Sequence, residues 1–348
     1  MINYAGAGGI EKYTETLIKA MRDKECECLL VYGEKGKLVE KIEKAGVKVF
    51  KLQSKGPLDV DAARKLKKLC DSESVDVIHA QGGRENCLSV ISKIMGANVR
   101  VVFTWHFTDL QPLRWRVMNR ISSIFNDAVI AVCKESKKTL IKNGFIKNKI
   151  KTVLNGVESD NEQKLTIGSK EIVFVTVSRF SQEKGLMFLV EALEYFKKIC
   201  SIPFLAYIAG DGELYYAVKE EVRQRGLDGC VFCIGYCANV QKLLRSADIY
   251  LLPSQKEALS IAALEAIACG LPMIATDVGG NREIVTEDGE CGLISDYGDI
   301  VTYAENIKKL AENEELRKIL GAVARRKAET KFSIEKQILS VYDIYCGG

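Results

Sequence analysis

Short runs rich in Val, Ile and Leu alternate along this chain with longer stretches whose apolar residues recur every three or four positions. The runs predict buried strands and the longer stretches predict amphipathic helices. In the first half the strand-like runs are 28–32, 47–52, 75–80, 99–104, 128–133 and 150–154. Between them, 59–70 places Ala62, Ala63, Leu66 and Leu69 on one helical face. In the second half the runs are 172–178, 204–209, 231–234, 249–253, 273–276 and 292–295, with helical patterns at 186–199, 214–225 and 261–269. Such alternation builds parallel sheets covered by helices on both faces, because right-handed crossovers put the helices there. Two sheets in tandem give an α/β chain of two Rossmann-like domains, 1–165 and 166–330, with the polar run 158–170 as linker. After Asp299 the pattern is helical only, at 300–311, 315–330 and 333–345, which leaves 331–348 as a terminal helix.

Composition narrows the class. The chain has 348 residues, 47% hydrophobic and 28% charged, with only 5 Pro, which excludes disorder, collagen-like repeats and coiled coil as the main architecture. Residues 1–165 carry 29 Lys and Arg against 20 Asp and Glu, whereas 166–348 carry 21 against 26. A mildly basic half suits an anionic surface or a phosphorylated substrate, but the excess is too scattered for a nucleic-acid binder. Met1 leads into Asn3, Tyr4 and a glycine cluster, unlike an export signal. The 12 Cys therefore read as reduced thiols of a cytoplasmic protein. Cys230, Cys233 and Cys237 have ligand-like spacing, but no second pair or matching His follows, so core filling is expected and no metal site. No uncharged apolar stretch reaches about 18 residues.

Candidate chemistry gathers at the ends of the second-half strands. Beyond Pro253, a loop carries Glu257, and Ser260 is placed to cap a helix that Gly270 and Pro272 end. The amides of Leu259, Ser260 and Ile261 would form an anion site at that helix start, aided by the helix dipole. Glu265 lies deeper in an otherwise apolar segment, where it needs donors. A pair of ribose hydroxyls would serve, and so would an Arg or Lys. The 177–185 segment sets Arg179 and Lys184 in a loop before a helix, which suits a diphosphate or a solvated surface alike. Gly210 and Gly212 flank Asp211 where a ligand or another backbone must approach closely.

These three loops resemble the donor half of the retaining glycosyltransferases of family 4, which have the GT-B fold, and the resemblance covers nearly the whole chain. It is carried by Glu257 and Glu265, by Ala266-Ile-Ala-Cys-Gly-Leu-Pro272, and by Thr276-Asp-Val-Gly279-Gly280-Asn-Arg-Glu283. The resemblance implies parallel sheets facing a central cleft, a nucleotide-sugar donor (UDP- or GDP-linked) as substrate, no metal or other cofactor, and a terminal helix that crosses back to the first domain. Arg179 and Lys184 would hold the diphosphate and stabilise its leaving charge, Glu265 would bind the ribose, and Glu257 would face the sugar. Leu259, Ser260 and Gly210 would complete the donor site, and Gly8 and Gly9 would face phosphate and acceptor. Ala258 stands where the family usually has Gly, a strained choice if that position needs positive φ.

His106, just past a strand end, resembles the family's active-site histidine, whereas His79 is expected to be structural. A dinucleotide fingerprint at Gly6–Glu11 fails because Glu11 replaces the third glycine and no strand precedes the loop. Asp59 and Asp61 have a metal-binding spacing, yet helix capping explains them better. The basic, aromatic segment 112–120 would meet anionic lipid, meet an acidic acceptor, or be a solvated helix face, the last being favoured. The implied acceptor is a carbohydrate or a lipid-linked sugar of surface polysaccharide or glycolipid synthesis, with peripheral contact to an anionic membrane through the first domain. One departure from the family is expected, a first strand that is missing or truncated. It keeps a non-catalytic partner subunit open as a reading. A nucleotide-sugar 2-epimerase shares the fold, but only two histidines are present to supply acid–base groups.

Overall fold

Strand and helix alternate from Ile2 onward in a computed structural model that describes residues 1–6, 8–160, 162, 165 and 171–347. The chain divides into two units, Met1–Asn155 with Glu335–Gly348, and Gly156–Ile334. The division falls upstream of the polar run 158–170, most of which lies outside the described residues.

The first unit contains β1 (Ile2–Tyr4), α1 (Gly9–Arg22), β2 (Leu29–Glu34), α2 (Lys37–Lys44), β3 (Lys48–Lys51), α3 (Val60–Ser72) and β4 (Val77–Ala80). It continues with α4 (Gly83–Ile94), β5 (Arg100–Trp105), α5 (Leu113–Phe125), β6 (Ala128–Ala131), α6 (Lys134–Lys142) and β7 (Ile150–Thr152). The strands form two parallel sets, β1-β2-β3 and β4-β5-β6-β7. The first strand is therefore present, three residues long, with Ile2 opposite Tyr32 and Tyr4 opposite Glu34. On its other side Met1 bonds to the β4 end: its amine donates to the His79 carbonyl (2.7 Å) and its carbonyl accepts from the Gln81 amide (3.0 Å). The first strand is thus truncated, as expected, and both its sides are bonded; one ground for rejecting the glycine fingerprint is corrected, since β1 does precede that loop. Asp59 caps α3 by accepting the Ala62 amide at 3.0 Å, while Asp61 pairs with Arg64 on the surface.

The second unit contains β8 (Ile172–Val177), α7 (Leu186–Ile199), β9 (Phe204–Ala209), α8 (Tyr215–Gln224), β10 (Val231–Gly235), α9 (Val240–Arg245) and β11 (Ile249–Leu252). It continues with α10 (Ile261–Ala268), β12 (Met273–Thr276), α11 (Asn281–Val285), β13 (Gly292–Ser295), α12 (Ile300–Glu312) and α13 (Glu314–Thr330). All six strands run parallel in the order β10-β9-β8-β11-β12-β13. Phe174, Leu189, Leu193, Phe196 and Ile208 are buried between sheet and helices, each such side chain contributing about 1.5–3 kcal/mol. Cys230 and Cys233 pack against this core, and burial pushes the Cys233 thiol up to about 11. Among the described residues no His, Cys, Asp or Glu cluster is placed to hold a metal ion.

Both ends of the second unit meet. The Val157 amide donates to Phe332 (2.8 Å), the Ile334 amide donates back to Val157 (3.1 Å), and a Cβ at Gly156 would clash with Ile334. From there α14 (Ile334–Cys346) runs on, and its residues from Glu335 belong to the first unit.

Candidate functional site

Strand order in the second unit reverses between β8 and β11. Connections leave those two strands toward opposite sides, so a crevice opens beyond their carboxyl ends. The two loops that flank it are tied by main-chain bonds, because the Glu183 carbonyl accepts the amides of both Gln255 (2.9 Å) and Lys256 (3.1 Å). Gly185, at φ +65°, sits so close that any Cβ would overlap the Pro253 carbonyl oxygen. Across the loop, Gly279 (φ +54°) leaves no room for a Cβ beside the Glu257 carbonyl, and the Gly280 amide donates to Ala258 at 2.8 Å. The left-handed backbone is thus carried by glycines, which alone adopt it without steric cost. Ala258 is not among the positive-φ residues, so the strain considered for it is absent.

This stitching brings together two residues 73 positions apart. Lys184 Nζ donates to Glu257 Oε2 at 2.8 Å, and Ser254 Oγ donates to the same oxygen at 3.2 Å. The side chains of Lys184 and Glu257 are only 17% and 10% exposed, so the pair lies where water screens little. Arg179 stands differently: it is 67% exposed and bonds to Glu183 at 3.2 Å within its own turn. Burial raises the Glu183 carboxyl, but main-chain and Ser181 bonds and the charges of Arg179 and Lys184 outweigh it and leave the group below its usual range.

Ser260 caps α10 as expected, its Oγ accepting the Ala263 amide at 3.3 Å, and Gly270 ends the helix at φ +74°. Leu259 is buried just before the cap, and Glu265 is buried among Ala263, Leu264, Ala266 and Ile267. At Gly210 (φ +136°) the close approach is made by backbone, since a Cβ would overlap the Ser178 carbonyl. Ser254, Gly185 and Gly279 were not among the residues that the sequence pointed to as parts of the site. The Ser254-x-x-Glu257 spacing, which is that of a capping box, was the available signal for the first.

The first unit holds the remaining candidates. Gly8, extended at φ −153°, precedes α1, which starts at Gly9; Ala7 lies outside the described residues. His106 follows β5, half-buried, with Nε2 2.8 Å from Gln81 Oε1 and its ring edge-on to Tyr13 at 4.9 Å. Burial drives its imidazole down to about 3. His79 has both nitrogens committed, Nδ1 to the Tyr345 hydroxyl (2.5 Å) and Nε2 to Thr104 Oγ1 (2.6 Å), which ties β4 to α14 and fits a structural part. Burial lowers it well below the usual histidine range.

Known proteins share the sequence pattern and the fold of this chain. The family model described as "Glycosyltransferase Family 4" matches residues 7–161, and that described as "Glycosyl transferases group 1" matches residues 157–327. The chain is 26% identical over 309 residues to N-acetyl-alpha-D-glucosaminyl L-malate synthase of Bacillus anthracis, covering 83% of this chain and 79% of that protein. It is 25% identical over 308 residues to UDP-Gal:alpha-D-GlcNAc-diphosphoundecaprenol alpha-1,3-galactosyltransferase of Escherichia coli, covering 82% and 79%. Its fold matches that of Anabaena Alr3699/HepE, solved in complex with UDP, at a TM-score of 0.86 and 20% identity over 100% of this chain and 99% of the other. With the two models meeting end to end across residues 7–327, the chain belongs to the group 1 and family 4 glycosyltransferases and has their GT-B fold.

Proposed function

We propose that this glycosyltransferase moves a sugar from a UDP- or GDP-sugar to an acceptor hydroxyl with retention of anomeric configuration, without a metal ion, in surface polysaccharide or glycolipid synthesis. The observation that carries the reading is the Lys184–Glu257 pair at the reversal point of the second sheet. A diphosphate entering that crevice competes with Glu257 for the lysine, and the released carboxylate then faces the sugar. Lys184, helped by Arg179, stabilises the charge that grows on the leaving phosphate, the part a divalent cation plays elsewhere. The start of α10 at Leu259 and Ser260 adds its dipole, Glu265 receives the ribose hydroxyls, and Gly210 keeps the neighbouring loop tight. No enzyme nucleophile is invoked: the acceptor attacks the face that the phosphate leaves, and a phosphate oxygen takes its proton. In the first unit, His106 and the Gly8-Gly9 turn are assigned to the acceptor side.

Support for the donor class comes from the Anabaena neighbour, solved with UDP and with UDP-glucose. The test is a panel of nucleotide sugars screened by thermal shift, then transfer followed by proton NMR of the new anomeric centre. Early product with the donor's own configuration, and activity that survives EDTA, are expected. An inverted product would overturn retention, and complete loss restored by added Mn²⁺ would overturn the metal-free step.

A further inference from the structure

Three polar residues lie buried where the carboxyl ends of β11 and β12 meet. Thr276 and Asn281 have no exposed surface, and Ser254 is 1% exposed. Leu251, Leu252, Ile274 and Ala275 beside them are core residues. A hydroxyl placed there costs free energy unless it is bonded, and Val has the shape of Thr without that cost. The bonds show what the hydroxyl supplies. Past Leu252 the chain leaves β11, and the Ser254 carbonyl takes its donor from a side chain, Thr276 Oγ1, at 2.5 Å. Thr276 is itself fixed at the end of β12: it lies opposite Ser295 of β13, and its carbonyl accepts Asn281 Nδ2 at 3.0 Å. On the other flank of β11, Thr176 of β8 donates to the Leu251 carbonyl at 2.9 Å. The root of the Glu257 loop is therefore strapped by a buried hydroxyl from each neighbouring strand.

We infer that Thr276 is a positioning residue for the transfer reaction, acting through Ser254 to keep the Glu257 carboxylate aimed while Lys184 is engaged with the donor. The inference rests on the function proposed above, in which the diphosphate draws Lys184 away from Glu257. Of the two partners of that carboxylate, Lys184 at 2.8 Å and Ser254 at 3.2 Å, only Ser254 then stays. A serine hydroxyl can occupy any of three staggered positions, so its aim is only as good as the hold on its own main chain. Thr276 provides that hold. Having no exposed surface, it acts through Ser254 and not on a ligand. Its removal should therefore be felt where the sugar is transferred and not where the nucleotide is gripped.

The test is steady-state transfer with the nucleotide sugar that the thermal-shift screen selects, with the free nucleotide, UDP or GDP, as calorimetric probe. Thr276→Val should lower kcat by about tenfold, the size of one lost buried hydrogen bond, with donor KM and nucleotide affinity within about twofold of the parent. Thr276→Ser, which restores the hydroxyl, should recover most of that loss. Ser254→Ala keeps the carbonyl bond, and so the fold of the loop, and should match Thr276→Val. The double variant should lose no more than either alone, because both act through one hydroxyl. A parental kcat in Ser254→Ala or Thr276→Val, a loss confined to KM, one that Thr276→Ser does not recover, or additive losses would overturn the inference, even with Glu257→Gln impaired. A Glu257→Gln variant that turns over like the parent, or a screen that selects no donor, would overturn the proposed function beneath it and the inference with it.

Discussion

The two units place their reactive side chains alike, at the carboxyl ends of parallel strands, and treat them in opposite ways. In the second unit the buried cation at the reversal point faces an opposite charge, Lys184 against Glu257. In the first, both imidazoles face neutral partners, Gln81, Thr104 and Tyr345, and burial takes their protons away. Depth alone therefore does not decide whether a titratable group stays ionised; the nature of its neighbour does. Under the proposed function the division is useful, because charge would be needed where a phosphate departs and a neutral hydrogen-bonding group where a hydroxyl is oriented.

The contrast can be broken most sharply at Lys184. Lys184→Ala should lower kcat by at least about tenfold at saturating donor, because a charge-assisted contact to a leaving group contributes roughly 1.5–3 kcal/mol. Arg179→Ala, at an exposed cation, should cost only about threefold. Equal losses in steady-state kinetics would erase the distinction between the two. Next, Gly279→Ala should destabilise the fold by about 2 kcal/mol, because the new Cβ meets the Glu257 carbonyl at positive φ. A melting temperature within a degree or so of the parent would show that this turn does not hold the site.

Glu265→Ala should weaken UDP or GDP binding by about tenfold, read by calorimetry; unchanged affinity removes the ribose role. The smallest effect concerns pH. The chain has two histidines, so two ring resonances report directly, and neither should shift between pH 8 and 5. An unfolded histidine titrates near 6.5 whereas the folded His106 titrates near 3, so the unfolded chain binds extra protons between those values. Stability is therefore full above about pH 6.5 and declines as pH falls toward 3. His106→Asn should flatten part of that decline, and an unaltered slope would mean that the ring is not buried neutral.

Much of this molecule could be read in advance because local signals agreed. Ser260, a run of Ala, Ile and Leu, then Gly270 and Pro272 state a capped helix and its end, and α10 follows that text within a residue. Leu186–Ile199 and Phe204–Ala209 match the reading at both ends. The failures have physical causes. Three residues of β1 are too few to show a period, so only the shortness of that strand was legible, and the pairing that makes them a strand comes from Tyr32 and Glu34. That Asn119, Ser122 and Ser123 form the buried face of α5 was not legible, because the usual rule puts apolar residues inside. The Lys184–Glu257 contact was legible only as two separate loops, since it depends on Gly185 and Gly279 allowing backbones to touch. The expected roles of Arg179 and Gly210 came from the family resemblance; their observed partners, Glu183 and the Ser178 carbonyl, are local.

The paired ends of the second unit make residues 156–334 an insert in the genetic sense, entered and left through one clasp of two main-chain bonds between Val157 and its neighbours Phe332 and Ile334. A gene fragment cut at those positions would begin and finish at the same spot. That layout suits grafting: the donor-side unit of one relative could be spliced into the frame of another without bridging a long span.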